Sequence, residues 1–284
     1  MVIINVKEPM VTIFTPNYNK SQFICETIES ILNQKYSNFE YIIIDDCSTD
    51  NSWEIIQNYA KVDERIKIYR NTKNLGIVKT RNKGFKKRSS KSKYFAIIDS
   101  DDISLPERLK IQVDFLEHNP DYGIVGSDIL IIDAKSKIIG FRKYPSKDTE
   151  IRKLITRFNP FAQSSIIIRT EIIDQIGFYD EAWSVCQDYD YWLRVGIKWK
   201  LANLDKALIK YRININQIKS TQLKETIRNT YFIQKKAINL YNYKDRIINK
   251  LIRIIIRFSV LYPKFLYFLY NLSIKINIKN FKLI

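Results

Sequence analysis

The sequence predicts an α/β fold, a mostly parallel mixed sheet flanked by helices. Three observations carry this. Short runs of Ile, Val, Phe and Tyr alternate with segments whose apolar residues recur every three or four positions. Runs such as Tyr41-Ile-Ile-Ile44 are continuous, as in strands covered on both faces. The resulting β-α-β-α order requires crossover connections, and these make parallel strands packed under helices.

The elements follow in order. Val11-Thr-Ile-Phe14 is the first strand and ends near Pro16. Phe23, Ile24, Thr27, Ile28, Ile31 and Leu32 fall on one helical face. Tyr41–Ile44 is the second strand. Asn51 with Glu54 has the spacing of a capping box before a helix carrying Trp53, Ile55, Ile56 and Tyr59. Ile66–Tyr69 is a third strand, Ile77–Phe85 a helix and Tyr94–Ile98 a fourth strand. Pro106 opens a helix running to His118. Gly123–Ile132 and Lys137–Phe141 read as strands around a turn, and Ser164–Ile168 as another strand. Thr170–Ile176 is a short helix stopped by Gly177, Gln187–Val195 a further helix, and Leu208–Tyr211 a late strand.

A chain of 284 residues has room for one large α/β domain and an appendage. The formal charge of +17 is unevenly spread. Residues 211–284 hold 15 Lys and Arg against 2 Asp and Glu, out of 47 and 30 in the whole chain. The body is therefore nearly neutral and the tail basic, a pattern suited to anionic partners. The expected organisation is a body at 1–212, with halves at about 10–110 and 111–212, and a basic, apolar-rich helical tail at 213–284. Three cysteines in no CxxC pair argue for a reducing, cytoplasmic setting without disulfides. No signal peptide or membrane span is expected. Leu251–Phe258 and Lys264–Tyr270 combine apolar content with flanking cations, which suits a membrane interface. The plainer alternative is a helical pair packed on the body or on a second subunit.

In open α/β sheets, ligands bind beyond the carboxyl ends of the strands. Those ends carry Thr15–Asn19, Asp45-Asp46, Arg70–Gly76 and Asp99-Ser-Asp-Asp102, which should converge on one edge. Clustered carboxylates repel one another unless a cation or hydrogen-bond donors compensate. Mg²⁺ and Mn²⁺ take such oxygen ligands and complete their shell with substrate phosphates. The plain alternative for Asp99–Asp102 is a solvated acidic turn with a helix cap at Asp102, and for Asp45-Asp46 a helix cap. Arg81 suits phosphate oxygens, or else is an exposed helix arginine. His118, the only histidine, reads as structural or exposed.

Together these residues resemble family 2 glycosyltransferases of the GT-A fold. The matching pieces are Val11–Asn19, Ile31–Gln34, Ile43–Asp50, Asn74–Gly76, Arg81-Asn82, Ile97–Leu109, Gly177–Asp180 and Asp188–Arg194. The resemblance covers about residues 10–212 and divides the body into a nucleotide-binding half and an acceptor half. It implies that Pro16 and Tyr18 line the nucleotide pocket, Asp46 reads the base edge and Arg81 sits by the diphosphate. Asp99, Ser100 and Asp101 would complete the nucleotide-sugar site, with Asp101 and Asp99 as ligands of Mn²⁺ or Mg²⁺. Asp188 would be the general base of an inverting transfer. Gln187 stands where the family often has Glu, and Gln163 and Asn214 where it often has His. The Gln-x-x-Arg-Trp motif of processive synthases is absent, so transfer of a single sugar is expected.

The implied donor is a nucleotide-diphosphate sugar, first of all a UDP-sugar, and the acceptor a glycan or lipid-linked hydroxyl. Cell-surface polysaccharide, lipopolysaccharide or glycolipid synthesis on the inner face of the cell membrane would fit the basic tail. The competing readings are a catalytically inactive scaffold, a nucleotidyltransferase and a nucleic-acid-binding protein. The second lacks an early Gly-rich signature, and the third would place carboxylates against phosphate.

Overall fold

The computed structural model describes residues 8–213 and 222–259. The first half runs β1 (Val11–Asn17), α1 (Ile24–Leu32), β2 (Phe39–Asp45), α2 (Ser52–Val62), β3 (Ile66–Arg70), α3 (Ile77–Lys87) and β4 (Tyr94–Ile97). Strands β1 to β4 pair in parallel. All seven residues of β1 and of β2 are buried, which explains the continuous apolar run Tyr41–Ile44 within β2. The second half comprises β5 (Ile103–Ser104), α4 (Arg108–His118), β6 (Tyr122–Ile132), β7 (Ile138–Arg142), α5 (Asp148–Leu154), a 3-10 turn (Gln163–Ser165), β8 (Ile167–Arg169), α6 (Thr170–Ile176), α7 (Gln187–Val195) and β9 (Lys200–Arg212). Two further helices follow, α8 (Leu223–Tyr241) and α9 (Ile247–Ser259).

The sheet order is β3-β2-β1-β4-β8-β6-β9-β5, with β7 paired to β6. Antiparallel β8 joins the parallel half to the mixed half through β4 and β6. Alternate side chains feed two cores. Ile13, Tyr41 and Ile43 pack with α1 and α4, while Phe14, Ile42 and Ile44 pack with Phe85 of α3 and Trp192 of α7. Helix α3 lies so close to β1 that a Cβ on Gly84 would come 2.6 Å from the Phe14 ring.

Several local expectations need correction. The capping box is not made: Asn51 forms no side-chain cap bond. Asp50 acts there, accepting the Ser52 N–H at 3.0 Å and the Ser21 N–H at 2.9 Å. The start of the expected Ser164–Ile168 strand is a 3-10 turn, because the Ser165 hydroxyl bonds the Ala162 carbonyl and pulls the chain out of extension. The late strand is longer than expected, since residues from Lys200 onward, buried Leu201 and Ala202 among them, already pair with β6. Asp102 does not cap α4, which begins after Glu107. His118 ends α4 with its Nδ1 2.7 Å from the Asp114 carbonyl oxygen.

The basic tail starts as an integral part of the acceptor half. Ile233 and Ala237 of α8 are fully buried in the core that holds α7. Asn229 donates to the Val185 carbonyl at 3.2 Å, and the Tyr243 hydroxyl to the Leu193 carbonyl at 2.9 Å. Helix α9 is less covered and exposes Ile247, Leu251 and Ile254. No helix among the described residues is long and apolar enough to cross a membrane. Lys264–Tyr270 and Asn214 lie outside the described residues. An Ile233→Ala substitution is expected to lower unfolding free energy by about 2–4 kcal/mol in urea titration. Leu240→Ala, on the exposed side of α8, should cost less than about 0.5 kcal/mol. Equal losses would detach α8 from the folded body.

Candidate active site

The four polar strand tips converge, and side-chain bonds between them hold the edge together. At the end of β1, Pro16 is buried, and just beyond it Tyr18 stands 43% exposed. Asn19 accepts the Thr49 N–H at 2.8 Å, tying this tip to the one after β2. Asp45 is fully buried. It accepts from Asn17 Nδ2 at 2.9 Å and the Ser48 N–H at 3.0 Å, and pairs with Arg70 at 3.3 Å. Asp46 accepts from Asn71 Nδ2 at 2.7 Å, the Leu75 N–H at 2.8 Å and the Gly76 N–H at 2.9 Å. Its carboxylate therefore shapes the loop that turns into α3, where Gly76 takes a φ of 83°.

The Asp99–Asp102 loop is not a solvated turn. Ser100, Asp101 and Asp102 are buried. The Asp99 N–H donates to Ser164 Oγ at 3.0 Å, and its Oδ1 accepts Arg81 Nη2 at 2.5 Å. Asp101 Oδ2 meets Lys20 Nζ at 2.7 Å. Asp102 turns away from both and accepts the Arg212 N–H at 2.8 Å, while Arg212 Nε donates to the Asp101 carbonyl at 2.8 Å. Burial, reinforced by Asp101 and Asp99, pushes the Asp102 carboxyl well above the usual carboxylate range.

Arg81 is 7% exposed, so it is a buried arginine, not a surface helix residue. Burial pulls its pKa down, but Asp99, Tyr179 and Asp188 outweigh this and hold the guanidinium above its ordinary value. Asp188 opens α7, with its Oδ2 accepting Asn159 Nδ2 at 2.8 Å. The same group of charges surrounds the buried Tyr179 phenol, which accepts from Gln163 Nε2 at 2.9 Å and is raised chiefly by burial. Asp99 of the first half and Asp188 of the second thus act on one guanidinium.

Residues 12–177, more than half of the chain, match the family model described as glycosyl transferase family 2. The chain belongs to this family. It is 33% identical over 223 residues to the "O-antigen biosynthesis glycosyltransferase WbnJ" of Escherichia coli, covering 75% of this chain and 82% of that protein. Two solved structures share its fold. S. aureus TarS in complex with UDP-GlcNAc superposes with a TM-score of 0.64 at 18% identity, covering 89% of this chain and 81% of that one. The Pyrobaculum calidifontis mannosyltransferase PcManGT, in complex with GDP-Man and Mn²⁺, gives 0.63 at 14% identity, covering 90% and 70%. The protein is a family 2 glycosyltransferase with a GT-A fold.

The glycosyltransferase's donor set fits a cation that arrives with a diphosphate. No three His, Cys, Asp or Glu side chains among the described residues form a self-sufficient metal site. Asp99 and Asp101 each retain one carboxylate oxygen without a hydrogen bond among the described residues. Mg²⁺ and Mn²⁺ commonly bind through one or two carboxylates and take their other ligands from substrate phosphate and water.

Sequence reasoning located Pro16, Tyr18, Asp46, Arg81, Asp99, Ser100, Asp101 and Asp188 but missed the residues holding them. Lys20 and Tyr179 lie in or next to the quoted motifs, whereas Asn159 and Arg212 lie outside them. Only the fold reveals their partners. An Asp102→Asn variant, which keeps an acceptor for the Arg212 N–H without a charge, should unfold within about 1 kcal/mol of the parent in thermal denaturation. Asp102→Ala should lose about 1–3 kcal/mol. Equal losses would show that Asp102 is needed as an anion.

Proposed function

We propose that this glycosyltransferase moves one sugar at a time, with inversion and with a divalent metal, from a nucleotide-diphosphate sugar to an acceptor hydroxyl. The observation that carries this reading is the shared electrostatic group of Arg81, Asp99 and Asp188, which brings donor-side and acceptor-side charges together. The acceptor oxygen attacks the anomeric carbon, and the bond to the diphosphate breaks with its electron pair on the leaving oxygen. Asp188 accepts the hydroxyl proton, and Asn159 orients its carboxylate. General-base assistance of this kind supplies about 10²–10⁴ in rate.

Arg81 faces the diphosphate, and the exposed Tyr18 ring offers a stacking surface for the base beside Pro16. Asp46 contributes through the 71–76 loop that it fixes, with its carboxylate edge toward the base. Asp99 and Asp101 are the metal ligands, with Ser100 between them. A bound Mn²⁺ or Mg²⁺ would neutralise charge on the leaving diphosphate.

The likeness to an O-antigen enzyme and to a UDP-GlcNAc-bound structure favours a UDP-sugar donor and a cell-surface polysaccharide or lipid-linked acceptor. The basic α8–α9 region fits peripheral contact with the inner face of the cell membrane, where such acceptors are assembled.

The test is a thermal-shift screen of UDP-, GDP-, dTDP- and CMP-sugars with Mn²⁺, Mg²⁺ or EDTA. A donor at about 100 times its dissociation constant should stabilise the protein by about 2.7 kcal/mol. This shift should need metal and vanish in Asp101→Ala. Asp188→Asn should retain the shift while turnover falls about 10²–10⁴-fold. Absence of a shift with every donor would favour an inactive scaffold, and unchanged turnover in Asp188→Asn would remove the base assignment.

A further inference from the structure

Helices α8 and α9 enclose a cleft of about 300 Å³, lined among others by Tyr231, Lys235, Asp245, Lys250, Arg253 and Arg257. Lys250, Arg253 and Arg257 fall on one stripe of α9 at i, i+3 and i+7 spacing, facing Lys235 of α8. Lys235, Lys250 and Arg257 are exposed and form no ion pair among the described residues.

Arg253 supplies a second, independent observation. It is 7% exposed, and its Nη2 pairs with Asp245 Oδ2 at 2.5 Å. Its Nη1 is buried with no hydrogen-bond partner. A guanidinium N–H deprived of both water and an acceptor is costly, and an anionic oxygen entering the cleft would satisfy it. Together, the unpartnered nitrogen and the three cations around it describe a site for phosphate.

The surroundings distinguish among phosphate-bearing ligands. Among the described residues, seven of the twelve exposed large hydrophobics lie on these two helices, including Ile247, Leu251 and Ile254 on α9 and Leu240 on α8. A nucleic acid or a free phosphate would leave that apolar surface in water, whereas a lipid covers it with acyl chain while its headgroup enters the cleft. Residues 260–284 carry Lys264, Lys275, Lys279 and Lys282 and no Asp or Glu, so that segment supplies no acidic side chain for the cleft. A second copy of the same basic surface is disfavoured for the same reason.

We propose that the α8–α9 cleft is a binding site for the phosphate headgroup of an anionic membrane phospholipid. This rests on the membrane contact proposed above and gives it a specific point of attachment.

The experiment measures co-sedimentation of the full-length protein with phosphatidylcholine vesicles, with and without phosphatidylglycerol. It compares the parent with Lys235→Gln/Arg257→Gln, inside the cleft, and Lys224→Gln/Arg228→Gln, on α8 but outside it. Each cation near an anionic surface is worth about 1 kcal/mol, so the cleft pair should weaken binding about thirtyfold and the outside pair less than about threefold. Short-chain phosphatidylglycerol below its micelle concentration should bind the parent and not the cleft variant. Equal losses for the two pairs would overturn the cleft and leave diffuse membrane attraction standing. Failure of the parent to bind phosphatidylglycerol vesicles would overturn both readings. Inorganic phosphate binding as tightly as the short-chain lipid would overturn the lipid assignment.

Discussion

Charge balance around residues 99–102 is the constraint on which the rest of the site depends. Three aspartates within four residues sit beyond a buried strand, where mutual repulsion and lost hydration both oppose folding. The fold answers with three basic residues from distant parts of the chain, two of them pairing with carboxylates and Arg212 donating to the loop through its amide and its Nε. Arg81 comes from α3, Lys20 from the loop after β1 and Arg212 from the end of β9. Asp102 needs no full countercharge, because burial favours its protonated form. The remaining two carboxylates, Asp99 and Asp101, are each held by one protein cation.

Arg212 also explains how the two halves keep register. It is fully buried at the end of the longest strand and bonds to the loop at 101–102, the Asp133 carbonyl and Glu26. Strand β9 thus joins the turn after β6, helix α1 and the carboxylate loop at a single side chain. On the opposite side of the acceptor half, fully buried Asp190 pairs with Arg194 of its own helix at 3.0 Å and with Lys236 of α8 at 2.9 Å. Breaking either pair would leave a buried carboxylate partly uncompensated, which costs far more than losing an exposed ion pair.

Much of this was legible in the chain. The apolar runs ending in polar tips identified the parallel half, and the clustered aspartates pointed to the edge on which those tips converge. What was not legible depended on contacts between residues far apart in sequence. Arg212 lies 110 positions from Asp102, and nothing local to Tyr211-Arg-Ile marks it as that residue's clamp. Asp188 was singled out only through the family resemblance, and Asn159, which donates to it, sits in an irregular stretch without periodicity. The two-residue β5 and the seven-residue α5 are too short to generate a pattern, and Lys200–Leu204, where Leu201 and Ala202 are buried, is separated from the apolar end of β9 by exposed Asp205 and Lys206. Hydroxyls misled in the other direction at Ser164-Ser165, where side-chain bonding replaced an apparent strand.

The Lys236 bridge bears on how such enzymes can diversify. A basic tail that merely trailed from the body could be traded among relatives as a module, with catalysis and address evolving separately. Here the same ammonium contacts both Asp190 in the acceptor helix and Asp180 in the loop before it. A recombination joint placed anywhere in residues 214–221 would part these aspartates from their lysine. Inheritance of the tail is therefore coupled to that of the acceptor half, and a lineage acquiring a new anchoring region must bring, or re-evolve, a cation at this position.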